Sequence, residues 1–194
     1  LAPGPIYEEA KGIGEEFSRL SPRLVHLRKD CRAAVMVSER SQTGIQYFPA
    51  CRPGELPERN YSDYLRWICD SLYRLNVEYD ILSDEERNFD GYDLLILPCL
   101  YSAPEELLRE VSEYVARGGH LIATFRTGFC DTSLKIYPDR QPHLLCDCLG
   151  LQYERFTRPS QVTLASDVIS FSHSISVSDW MELPELYGAV PVCW

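Results

Sequence analysis

The stretch HLIATFRTGFCD, residues 120–131, sets Thr124, Arg126, Thr127, Cys130 and Asp131 at the end of an apolar run. A strand that stops in a polar, glycine-bearing turn is where many α/β enzymes hold a nucleophile. Cys130 is one candidate, and Cys99 in LPCLY is another. A reactive thiol needs a nearby base and a lowered pKa. His120 lies at the far end of the strand that precedes Cys130, and His143 and His173 can approach only through the fold. The alternative reading is that both thiols are buried small residues.

Other residue sets suggest other chemistry. SERSQTG, 38–44, is faintly like a hydroxyl-rich phosphate loop, but such loops feed directly into a helix N-terminus. Here the next helix is expected about sixteen residues after Gly44, and no GxGxxG or P-loop is present. Glu39 and Asp131 both follow strands and could face each other as a glycosidase pair, which needs acids ~5–9.5 Å apart. Cys146-x-Cys148 could take a metal, though a bare CxC falls short of a zinc pattern. Tyr47, Phe48, Tyr101, Phe129 and Tyr137 fall in loops near the carboxyl edge, with Arg126 and Arg140 among them. Aromatics beside arginine are the composition of a protein–protein patch.

The elements that must position these residues follow from the pattern. The chain has 194 residues, enough for one sizeable core. A net charge of −10 argues against nucleic acid as the main partner, because phosphate binding needs a basic surface. No apolar run is long enough to span a membrane, and the N-terminus has no signal-peptide pattern. Eight cysteines without CxxC or Cys/His spacing fit reduced thiols in the cytoplasm. Leu1 is not a methionine and the chain stops on the apolar AVPVCW, so a piece of a longer protein is expected.

Residues 5–20 carry Ile6, Ala10, Ile13, Phe17 and Leu20 on one helical stripe, with Pro22 as a stop. CRAAVMVSE, 31–39, reads as a strand covered on both faces, and 40–59 as a long loop. A helix over 60–75, strands over 77–83 and 92–98, and a helix opened by a Ser102–Glu105 capping box follow. Gly118-Gly119 ends that helix before the strand HLIATF, and a short helix over 142–149 stops at Gly150. Uninterrupted apolar strands alternating with helices give an α/β fold with a mostly parallel sheet. The tail, 151–179, alternates apolar and polar residues as antiparallel or edge strands do.

Several segments together resemble the middle domain of the family-42 glycoside hydrolases, which are β-galactosidases. PIYEEAKGIGEEFSRL resembles the end of that family's catalytic barrel. YSDYLRWICDSLYRLNVEYDIL is similar to its helix-and-strand pattern. YDLLILPCLYSAPEELLREVSEYVARGGHLIATFRTGFCD and LLCDCLGLQYERF are similar to its stretch through the GG strand and the loop beyond. Segment 40–59 and Cys99, Cys130, Cys146 and Cys148 depart from the pattern.

The resemblance implies a flavodoxin-like three-layer sandwich of the class I glutamine amidotransferase-like type. Residues 1–24 would be the barrel's tail and linker, and 25–194 a trimerisation domain. The parent would be a homotrimer that hydrolyses terminal β-D-galactosyl groups with retention, its two catalytic glutamates lying in an upstream barrel. No catalytic residue, cofactor or metal falls within this stretch. The amidotransferase-like nucleophile would stand near Phe125-Arg126, where no nucleophile is present. Tyr47, Phe48, Tyr101, Arg126, Thr127, Phe129, Asp131 and Tyr137 are the residues expected at an interface or near an active site. The alternative is an independent amidotransferase-like enzyme or small-molecule-binding domain.

Overall fold

A computed structural model describes residues 4–27, 29–51, 54, 59–160 and 162–193. Part of the segment 40–59 therefore lies outside the described residues. The chain divides into two compact units, Leu1–Asp30 and Cys31–Trp194.

In the first unit, α1 spans Pro5–Leu24. Pro5 opens it, where a missing N–H costs nothing. The expected stop at Pro22 falls inside the last turn instead. A proline's fixed φ is helical, so it deletes one hydrogen bond without forcing an immediate end. No residue of α1 is buried, and Ile6, Ile13 and Phe17 are all exposed.

The second unit is built on a four-stranded sheet in the order β2-β1-β3-β4, every pair parallel. The strands are β1 (Ala33–Val37), β2 (Tyr79–Ser83), β3 (Leu94–Leu97) and β4 (His120–Ala123). Register aligns Ile81, Val35, Ile96 and Ile122 in one row across one face. Over the middle of that row lies α3 (Tyr61–Arg74), whose Leu72, Leu65 and Ile68 pack on Val35 and Ile96. Asn60 and Asp63 form a reciprocal capping box at its start. On the other face Ala34, Met36, Leu95 and Leu97 pack against Leu107, Leu108 and Val111 of α4 (Glu105–Ala116). Helix, sheet and helix make the three layers.

Two expectations are corrected. Residues 40–47, read as loop, form with Glu39 the helix α2 (Glu39–Tyr47) directly after β1. The Ser38 side chain caps it by accepting from the Ser41 N–H at 3.0 Å. Its buried positions are Ser41, Gly44 and Ile45, so the inward face carries no apolar stripe to read. Gly44 is required by contact: a Cβ there would stand 2.5 Å from the Tyr101 ring. The second correction concerns Ser102, which makes no capping box. Pro104 is the N-cap of α4 and provides no side-chain bond. Ser102 is buried, donates to the Asp131 carbonyl at 2.8 Å and bonds Ser41.

Gly118, at φ +99°, turns the chain out of α4 as expected. A 3-10 turn (His143–Leu145) and α5 (Cys146–Leu149) follow. From Leu151 onward the described residues pair as three short antiparallel ladders. They join β5 (Leu151–Gln152) with β10 (Glu185–Leu186), β6 (Phe156–Thr157) with β9 (Met181–Glu182), and β7 (Val162–Thr163) with β8 (Ser176–Val177).

Candidate functional site

The carboxyl ends of β3 and β4 both break into left-handed turns. Cys99, just beyond β3, has φ +46°, and Arg126, just beyond β4, has φ +58°. A non-glycine residue held there stores local strain and is over-represented at functional sites. The Cys99 N–H donates to Thr124 Oγ1 at 2.7 Å and so ties the two turns together. Thr127 Oγ1 closes the second turn on the Thr124 carbonyl at 2.8 Å.

A left-handed residue in the turn after a parallel strand resembles a nucleophile elbow, although Arg126 stands three residues past the end of β4. Here that residue carries a guanidinium, which offers only N–H donors and no nucleophilic atom. It is also buried. Its Cζ lies 4.3 Å from the Tyr101 ring centroid and 4.7 Å from that of Trp180, and Nη1 donates to the Phe48 carbonyl. The Arg126 backbone N–H donates to Glu182 Oε1 at 2.7 Å. That oxygen also accepts from Tyr153 Oη at 2.8 Å and Trp180 Nε1 at 3.4 Å. Burial raises the Glu182 carboxyl above its ordinary range, against the opposing pull of these donors.

Neither thiol is activated. Burial pushes Cys99 up to about 12 and Cys130 up to about 11, and Cys130 Sγ donates to the Tyr101 carbonyl. His120 bonds the Asp93 carbonyl through Nδ1, His143 stacks on Tyr137 beside Asp139, and His173 bonds Ser172. Asp131 folds its own loop, accepting from the N–H groups of Ser133 and Lys135, while Glu39 is exposed in the first turn of α2.

The helix that follows β1 removes the expected sixteen-residue gap, so the objection to a phosphate loop at 38–44 changes. An acid now provides it. Buried Asp84 fills the α2 N-terminus, accepting from Ser38 Oγ at 2.7 Å and Arg40 Nη1 at 3.1 Å. A carboxylate in that place repels a phosphate. Among the described residues no group of three or more His, Cys, Asp or Glu side chains is arranged to hold a metal. No described helix is long and apolar enough to cross a membrane.

Of the eight residues expected at an interface or near an active site, Tyr101, Arg126, Thr127, Phe129 and Tyr137 are buried within the chain. Asp131 is half-buried, and Tyr47 and Phe48 are exposed. The sequence reading missed Glu182, Tyr153 and Trp180. Tyr153 sits in the tail and Trp180 and Glu182 just beyond it, where nothing local separates Glu182 from exposed Glu185.

A family model described as the β-galactosidase trimerisation domain matches residues 34–192. β-Galactosidase BgaB of Geobacillus sp. (strain Y412MC61) is 25% identical over 197 residues, spanning 96% of this chain and 27% of its own length. BgaP of Planococcus sp. (strain L4) is 28% identical over 149 residues, spanning 77% of this chain and 21% of its own length. The chain thus spans about a fifth to a quarter of the relatives it matches. Among solved structures, β-galactosidase from Bacillus circulans sp. alkalophilus superposes with a TM-score of 0.82 at 19% identity, over 98% of this chain and 28% of that one. The enzyme from Rahnella sp. R3 superposes with a TM-score of 0.74 at 21% identity, over 93% of this chain and 28% of that one.

Proposed function

The chain belongs to the β-galactosidase trimerisation-domain family, and on that premise we propose that it is the non-catalytic assembly domain of a longer, homotrimeric, cytoplasmic β-galactosidase. The whole protein would hydrolyse terminal β-D-galactosyl residues with retention, using two glutamates of an upstream barrel that binds the β-galactoside. Residues 1–24 would be the end of that barrel and a linker, and 25–194 the assembly domain.

The observation that carries this reading is the elbow after β4, where strained backbone is kept but a buried arginine replaces any nucleophile. A fold that keeps the turn and lacks the attacking group fits an assembly role. Tyr47 and Phe48 offer exposed side chains and would meet a neighbouring subunit or the barrel. Asp131 would shape the loop at their side, and Tyr101, Arg126, Thr127, Phe129 and Tyr137 would act from within by holding that surface in place.

The test compares the whole protein with the 194-residue chain. Light scattering after size-exclusion chromatography should give a trimer for the whole protein. A chromogenic β-galactoside should be cleaved by the whole protein and left intact by the chain. Cleavage by the chain, or a strictly monomeric whole protein, overturns the reading.

A further inference from the structure

A groove of about 510 Å³ opens beside the loop after Phe129 and borders the elbow's buried network through Phe129 and Tyr153. That volume lies within the range of small-ligand sites. One side is apolar, with Phe156 and Ile136 about half exposed. The rim is polar: Asp139, Arg140 and Glu154 all line it.

The charges on the rim are already engaged. Arg140 Nε bonds Glu154 at 2.9 Å and its Nη1 bonds Glu185 at 2.9 Å. Asp139 faces His143 Nδ1 at 2.7 Å. A phosphate or carboxylate would therefore meet acids, and a cation would have to displace bonded arginine or histidine. What remains is the spare donor and acceptor capacity of guanidinium and carboxylates beside the apolar side chains of Phe156 and Ile136. Gln141 provides a further, independent sign. It lines the same groove at 6% exposure, its Nε2 donates to the Tyr137 carbonyl at 3.3 Å, and its Oε1 has no hydrogen-bond partner among the described residues.

We propose that this groove binds a neutral saccharide, with a sugar ring laid on Phe156 and its hydroxyls shared among Asp139, Arg140 and Glu154. A sugar has an apolar C–H face and hydroxyls that both donate and accept, which is the pairing this wall offers. The site belongs to the domain itself and does not depend on the assembly reading.

Trp180 stacks on Phe156 with ring centroids 4.3 Å apart, so it reports on the groove. Lactose and galactose would be titrated into the folded protein, following tryptophan fluorescence and saturation-transfer NMR, with glycerol as control. The expected result is saturable binding with half-saturation of about 1–10 mM. Phe156→Ala should weaken it at least tenfold. Glu154→Gln, at an exposed rim position, should weaken it severalfold with an unchanged thermal midpoint. No saturation by about 100 mM sugar, or equal binding by the wild type and both variants, overturns the site. A groove sealed by a second copy of the chain would give the first of these results. Oligomeric state measured on the same samples keeps this outcome separate from failure of the assembly reading.

Discussion

The backbone N–H of Arg126 and the carboxylate of Glu182 meet at 2.7 Å across 56 residues of chain. This bond fastens the last ladders of the tail to the turn after β4, and Tyr153 and Trp180 donate to the same oxygen. Glu182→Leu would leave the Arg126 N–H and Tyr153 hydroxyl without an acceptor. Each buried donor so orphaned costs about 1–3 kcal/mol. Urea unfolding should show a loss of about 2–4 kcal/mol for Glu182→Leu, and a much smaller loss for Glu182→Gln, which keeps an acceptor. Equal losses would show that charge, and not the hydrogen bonds, is what matters.

The same carboxyl sets a pH dependence. Its folded pKa is raised, mainly by burial. The folded chain therefore holds the proton more tightly than the unfolded chain does. The contribution to stability is complete below the ordinary carboxylate value and is lost as pH rises through the raised one. Unfolding midpoints measured upward from pH ~4 should fall with pH in the wild type and stay flatter in Glu182→Gln. Parallel slopes in both proteins would rule this out.

Cys99 and Cys130 stay protonated in the folded chain up to about 12 and about 11, whereas an ordinary thiol ionises near 9.0. At neutral pH iodoacetamide should leave both unlabelled until urea unfolds the chain. Fast labelling of native Cys130 would instead revive the amidotransferase-like alternative. The linkage runs the same way as for Glu182: stability is full below the ordinary thiol value and declines as pH climbs through the folded values.

Gly44→Ala should destabilise the chain by about 1–3 kcal/mol through overpacking. The added methyl meets the Tyr101 ring at 2.5 Å, and that ring is held beneath Arg126. Thermal unfolding measures the effect. A neutral result would mean that α2 shifts freely, and would break the link drawn between α2 and the elbow.

Tyr47 and Phe48 can be tested in the whole protein. The pair Tyr47→Ser and Phe48→Ser should leave the fold intact, because both side chains are exposed, and should shift light scattering from trimer toward monomer. An undiminished trimer would exclude these two side chains from the subunit contact.

Where apolar residues carry the packing, the fold was legible in the sequence. AAVMV, LLIL and the stripe of α3 reported their own burial, and the parallel sheet followed. Helix α2 was not legible, because its buried face is made of Ser41, Gly44 and Ile45. Close approach of backbone there replaces the hydrophobic periodicity a reader looks for. Ser102 and Glu105 had capping-box spacing, yet Ser102 is drawn inward by Asp131 and Ser41. At the elbow, the position of the turn could be read, but the burial of Arg126 could not. It depends on Trp180 and Glu182, which reach it from the far end of the chain.

The sheet ends on β2 and β4, each paired on one side only among the described residues, and Ile81 and Ile122 stand exposed on these strands. Open edges beside apolar side chains are templates for indiscriminate strand pairing. Folding of one chain proceeds at a rate independent of concentration, whereas covering its edges in the proposed assembly would require a neighbour to arrive. The hazard is therefore one of waiting time. A chain made faster than its neighbours can reach it would be lost to aggregation even when every copy has folded correctly, so yield would follow the pace of encounter more than the pace of folding.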